Sequence, residues 1–152
     1  MDERPTFAAD GFDVARAAAL MLAQVHAGWL GLRYHAHGPD WAELELPWRA
    51  DLIGEEERQV LASGPIVSLM DMASGMSVWI KMGAFKAIAT LDLRVDYVRP
   101  ARPGHAVIGR VECYRVTRSA AFVRGMAHDG DPGDPVAHVA GCFMAIMGMR
   151  LP

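Results

Sequence analysis

The chain has 152 residues, 52% of them apolar and 22% charged, with a formal charge of -3. That length favours one domain, spanning 1–152, with a core large enough to need neither disulfides nor a structural metal. The composition excludes a disordered tail, and the lack of a Lys/Arg cluster leaves nucleic-acid binding and polybasic membrane attachment without support.

The start, Met1-Asp2-Glu3-Arg4-Pro5, has no basic stretch followed by an apolar run, so no signal peptide is expected and a cytoplasmic location is. Cys113 and Cys142 form no CxxC pair and sit in apolar surroundings. They are expected to be buried and reduced.

The first element is an amphipathic helix from Asp13 to Trp29, within an N-terminal segment 1–30 that packs on the domain. Ala17, Leu20, Met21, Val25 and Trp29 recur near helical spacing. Asp10 and Gly11 are start signals and Gly31 is a stop. Leu32 to His37 and Trp41 to Leu46 read as two strands, the second alternating apolar and polar. Gly38-Pro39-Asp40 is turn chemistry, which makes the pair a hairpin. His35 and His37 would share a strand face, but no third ligand follows at matching spacing, so no metal is expected. Pro47 to Leu61 reads as a charged loop, long enough to suggest a job.

From Ser63 to Ile80 the only charge is Asp71. The length is near that of a membrane span, yet Ser63, Gly64, Pro65, Ser68, Ser74, Gly75 and Ser77 dilute it, and a mid-span carboxylate is costly in lipid. A core helix from about Pro65 to Met82 fits better. Pro65 suits the first turn and Gly83 the stop. Being apolar on every side, it must be surrounded by protein.

The remaining chain supplies strands. Ala89 to Val98 alternates strictly, with Leu91, Leu93, Val95 and Tyr97 on one face. Residues 99–104 are a turn. His105 to Val116, Ala120 to His128 and Val136 to Met147 are β-rich runs. Strands so closely spaced, without helices between them, make an antiparallel sheet. The order is helix, two strands, buried helix, four strands. The economical solution is α+β: a curved antiparallel sheet wrapped around a long central helix.

Asp71 is the candidate for chemistry. An unpaired buried charge is expensive, so this carboxylate is either paired, by an Arg or a loop, or wet. Asp129, Asp131 and Asp134 lack the Glu and the spacing of an EF-hand and read as a turn. Ser-His-Asp catalysis has no Gly-x-Ser-x-Gly elbow. The methionines, Met70, Met72, Met76 and Met82 among them, read as core filler rather than ligands, though some could line an adaptable pocket.

The run Gly64-Pro65-Ile66-Val67-Ser68-Leu69-Met70-Asp71-Met72-Ala73-Ser74-Gly75 resembles the helix motif of the PaaI-like thioesterases of the hotdog superfamily, which includes 4-hydroxybenzoyl-CoA thioesterase. That motif is roughly His-Gly-Gly, six mixed residues, then Asp. Thr90 to Ala101, with Tyr97-Val98-Arg99-Pro100-Ala101 at its end, is similar to the family's next strand. Ala120 to Val123 and Val136 to Phe143 resemble its last two. The likeness covers about Leu52 to Met147.

The resemblance implies a hotdog fold and hydrolysis of an acyl-CoA thioester. It implies Asp71 as general base or nucleophile, Ser63 and Gly64 as the positions whose backbone N–H groups hold the oxyanion, and Thr90 as the hydroxyl that places the water. An Asn of the family's upstream loop falls at Glu56, which cannot donate a hydrogen bond when ionised. Ala62 stands where the family has His. Arg99, Arg102, Arg115 and Arg118 are candidates for the CoA phosphates. No cofactor is implied beyond the substrate's own CoA. Hotdog sites form between subunits, so a homodimer or homotetramer is expected. The rival readings are an acyl-CoA binder without turnover and a hotdog dehydratase or hydratase, which would need a catalytic His that the central helix does not contain.

Overall fold

The computed structural model describes residues 12–146. It opens on α1 (Val14–Leu22) and α2 (Val25–Leu30), where the sequence pattern suggests one helix. Asp13 caps α1 by accepting from the Arg16 N–H over 3.0 Å. The break follows from Gln24, whose backbone is extended and whose side-chain amide takes the Leu20 carbonyl at 3.2 Å. The second helix is thereby rotated: Ala27 and Leu30 are buried, while Val25 is 90% and Trp29 58% exposed. The proposed start at Asp10 and Gly11 lies outside the described residues.

β1 (Arg33–His37) and β2 (Trp41–Leu46) pair antiparallel as expected. The register shifts between Tyr34 and Ala36. His37 then bonds the Tyr34 hydroxyl at 2.6 Å, while His35 faces Glu43 at 3.9 Å. The segment expected to be a loop holds a short 3-10 turn and a two-stranded hairpin, β3 (Ile53–Glu55) with β4 (Val60–Leu61). The Glu55–Arg58 ion pair, at 2.5 Å, closes that hairpin locally.

α3 (Ser63–Met82) is the central helix, and Gly83 ends it at φ +62, the left-handed conformation that glycine adopts without steric cost. From Ala73 to Ile80 every residue is buried. The first half differs from the expectation: Ser63, Gly64 and Val67 are exposed, and Ser68, Asp71 and Met72 are half-buried, so one strip of the helix is open.

β5 (Ile88–Tyr97), β6 (Val107–Val116), β7 (Ala120–His128) and β8 (Ala137–Ala145) complete a six-stranded antiparallel sheet in the order β1-β2-β6-β7-β8-β5. The helix packs chiefly on β2 and β6, where Ala42, Leu44, Leu46, Val107 and Val111 are fully buried. Gly109 permits the closest approach, because a Cβ there would lie 2.9 Å from the Met70 sulfur. The alternation expected in β5 fails at Leu91. A register shift between Thr90 and Asp92 turns it out of the pattern, and it is 57% exposed. Cys113 is buried and Cys142 half-buried, and both are free thiols. No helix among the described residues is long and apolar enough to cross a membrane. A long central helix packed on a multistranded antiparallel sheet is the hotdog arrangement.

Candidate active site

The open strip of α3 carries the candidate residues Ser63, Gly64 and Asp71. Thr90 on β5 donates from Oγ1 to Asp71 Oδ1 at 2.8 Å. Seven residues further along the same strand, the Tyr97 hydroxyl donates to the Ser63 carbonyl at 2.9 Å. β5 therefore grips both the middle of α3 and its first turn. Burial pushes the Tyr97 phenol pKa up, which keeps it a hydrogen-bond donor at neutral pH.

The start of α3 is uncapped by any side chain: Ala62 is the N-cap and has no side-chain oxygen to offer. The first N–H groups of a helix have no intrahelical partner, and Pro65 carries none. Ser63 and Gly64 thus present donors at the positive end of a 20-residue helix. The side of Gly64 where a Cβ would stand meets no atom within 4 Å.

Beside this start, His26 of α2 lies with Nε2 3.0 Å from Ser68 Oγ. Ser68 is one turn before Asp71 on the same strip. Neither residue was singled out from sequence. The spacing of Ser68 from Asp71 was a usable signal, whereas His26 comes from an element far away in the chain.

Glu56 sits in the β3–β4 turn, exposed, with its carbonyl accepting from Gln59 N at 3.3 Å and Nε2 at 2.8 Å. Asp51, Leu52 and Ile53, rather than Glu56, stand by the start of α3.

The four arginines divide. Arg99 is bound to Asp129 by two bonds, 2.8 and 2.7 Å, and donates to the Asp134 carbonyl at 2.6 Å. Arg102 donates its backbone N–H to Asp129 Oδ2 at 2.7 Å and its guanidinium to the Asp129 carbonyl at 2.8 Å. These two hold the β7–β8 loop against the β5–β6 loop. The guanidinium of Arg99 also keeps the Asp129 carboxyl far below the usual carboxylate range. Arg115 and Arg118 are exposed at the β6–β7 turn and form no ion pair among the described residues. A void of about 290 Å³ is lined there by Arg118, Lys86, Thr117, Ser119 and the apolar Met82 and Phe143.

Fold and site together define a hotdog domain with a hydroxyl-bonded carboxylate on its central helix. The family model for the thioesterase superfamily matches residues 59–136, over half of the chain, and the chain belongs to that superfamily. It is similar to a solved protein from Pseudomonas aeruginosa, with 41% identity and a TM-score of 0.79 over 88% of this chain and 100% of that one. A thioesterase from Haemophilus influenzae superposes with a TM-score of 0.76 at 19% identity, covering 89% of this chain and 91% of that one. The PaaI protein of the E. coli phenylacetic acid degradation operon superposes with a TM-score of 0.75 at 17% identity, covering 90% and 96%. At such identities the last two show a shared fold. No curated protein matches the chain.

Proposed function

We propose that the protein is a cytoplasmic acyl-CoA thioesterase that hydrolyses its substrate to the free acid and CoA, with Asp71 as general base or nucleophile. The observation that carries this reading is the Thr90–Asp71 hydrogen bond at 2.8 Å on the open strip of α3. It holds one carboxylate oxygen and leaves the other without a protein partner among the described residues. As base, Asp71 takes a proton from water while the water oxygen bonds to the thioester carbon. The carbonyl oxygen gains the negative charge, where backbone N–H groups of Ser63 and Gly64 are suited to stabilise it. Collapse of that intermediate breaks the carbon–sulfur bond, and CoA leaves as the thiolate.

Gly64 and Asp71 are two helical turns apart, roughly 10 Å along the axis. That exceeds the span of one carbonyl, so direct attack by Asp71 on a carbonyl held at Gly64 requires the two groups to come from different protomers. A homodimer or homotetramer is therefore part of the reading. Arg118, with Lys86 lining the same void, offers the charge for the CoA phosphates, and Arg115, without an ion pair among the described residues, suits the same use.

Release of free thiol from a panel of aliphatic and aromatic acyl-CoAs tests the proposal. Turnover abolished in Asp71→Asn supports it. Binding of acyl-CoA with no turnover of any of them makes the protein a binder, a reading that the Ala62 and Ser63 positions favour because they depart from the family's His-Gly pair.

A further inference from the structure

A void of about 330 Å³ opens between α2, the chain at residues 51–53 and the first turns of α3. Trp29, Leu30, Leu52, Ile53 and Pro65 make its apolar wall, and Gly64 borders it. Arg49 fixes the end of α2 over it, donating to the Trp29 carbonyl at 2.6 Å with its guanidinium 5.6 Å from the Trp29 ring. Three polar side chains also line the void. Asp51 is spent on Arg49, at 3.0 and 2.6 Å. The other two are His26 and Ser68, joined to one another at 3.0 Å. That single bond uses one ring nitrogen of His26 and part of the Ser68 hydroxyl's capacity. The second ring nitrogen has no partner among the described residues.

The pair is placed where an acyl group would reach it. Ser68 stands one turn beyond Gly64 and one turn before Asp71 on the same strip of α3. An acyl carbonyl held at Gly64 has this void beside it. A water molecule's share of liquid volume is about 30 Å³, so the void accommodates an acyl group of about ten non-hydrogen atoms. A plain hydrocarbon packed against the exposed His26 ring and the half-buried Ser68 hydroxyl would take these polar groups from water without satisfying them, which costs free energy. An acyl group with a hydroxyl or oxo substituent would satisfy them.

We infer that this void is the acyl pocket, and that the His26–Ser68 pair selects small acyl groups bearing one hydrogen-bonding substituent. The inference rests on the acyl-CoA thioesterase reading. Sites that bond a substrate hydroxyl reject analogues without it by about 10⁴–10⁵ when fully closed. This pair is partly open to water, and a preference of about tenfold is expected, the equivalent of one net hydrogen bond.

The test measures kcat/KM for hexanoyl-CoA and for its 3-hydroxy, 3-oxo and 5-hydroxy derivatives. It uses the full chain, His26→Ala and Ser68→Ala, each checked for fold by circular dichroism. Dissociation constants of the matching non-hydrolysable thioether analogues are measured in parallel. The expected result is a preference of about tenfold for at least one substituted acyl group, falling towards unity in both variants. A wild-type ratio near unity for all of them, or a ratio that survives in both variants, overturns the inference. If the wild type hydrolyses none of them, the thioesterase reading fails on its own, and the thioether affinities decide. A preference lost in both variants still supports the pocket, and no preference overturns it.

Discussion

The Thr90 hydroxyl and the Asp71 carboxylate meet at 2.8 Å across the gap between the β-sheet edge strand and the central helix. Asp71→Asn keeps the shape and removes the charge. Losing general-base action typically costs ~10²–10⁴ in rate, so kcat should fall by about that factor. Affinity for a non-hydrolysable acyl-CoA should change little, because the contact matters mainly in the transition state. Steady-state kinetics and calorimetry check both halves. A mutant with the wild-type rate would make Asp71 a structural carboxylate.

Thr90→Val removes the donor and keeps the branched shape. A hydrogen bond to a charged group is worth about 1.5–3 kcal/mol, and about 1.4 kcal/mol is tenfold in rate. The kcat should therefore fall by roughly ten- to a hundredfold, less than for Asp71→Asn. The melting temperature should move little, since Thr90 is exposed in the protomer. An unchanged kcat would show that the hydroxyl does not orient Asp71 during turnover.

Arg118 and Arg99 should separate binding from stability. Arg118→Ala should raise KM for acyl-CoA more than for a truncated pantetheine thioester, and added salt should weaken acyl-CoA binding to the wild type through screening. Arg99→Ala should act through stability instead, because its guanidinium is committed to Asp129 and Asp134. Equal effects of Arg118→Ala on both substrates would show that this residue does not touch the nucleotide end.

The Asp129 carboxylate is fully enclosed, Arg99 keeps Asp134 as a partner without it, and a hydrogen bond to a charged group is worth about 1.5–3 kcal/mol. Asp129→Ala should lose about that much at pH 7 in urea unfolding. The folded-state pKa is depressed, chiefly by the Arg99 hydrogen bonds. The contribution is thus fully present above the ordinary carboxylate pKa of about 4, and is lost as pH falls from there towards the depressed folded-state value. The gap between wild type and mutant should narrow at pH 3 relative to pH 7.

Assembly is tested by light scattering. The split between Gly64 and Asp71 along α3 calls for a dimer or larger at micromolar concentration. A fully active monomer would remove the shared-site mechanism.

The strands and the central helix were legible because their signals are periodic and local. The pattern from about Pro65 to Met82, apolar on every side, demanded a wrapper, and Gly83 marked the helix end. Asp71 stood out as the single charge in that run. What escaped was decided by single hydrogen bonds or by tertiary neighbours. Gln24 splits the first helix by capping Leu20, and nothing periodic announces that. The register shift at Leu91 inverts an alternation that looks perfect in the sequence. Arg99 and Asp129 are 30 residues apart, so an arginine that reads as a free phosphate ligand turns out to be a brace between loops. His26 reaches Ser68 only through the folded position of α2.

The outer edge of β5 has a consequence for how the protein is made. Among the described residues the ten of this strand, Ile88 to Tyr97, pair with β8 on one side only, and an open edge of that length is a template for any other strand it meets. During synthesis each new chain then exposes that edge, and in the proposed oligomer it is in a race between joining a correct mate and joining a wrong one. Asp92, Arg94 and Asp96 fall at intervals along that edge and are all exposed. Charges in such positions act as gatekeepers, penalising apolar strands that would stack there out of register. Replacing these three with Thr or Val would leave the folded chain's core untouched and yet shift the outcome, towards inclusion bodies rather than folded protein.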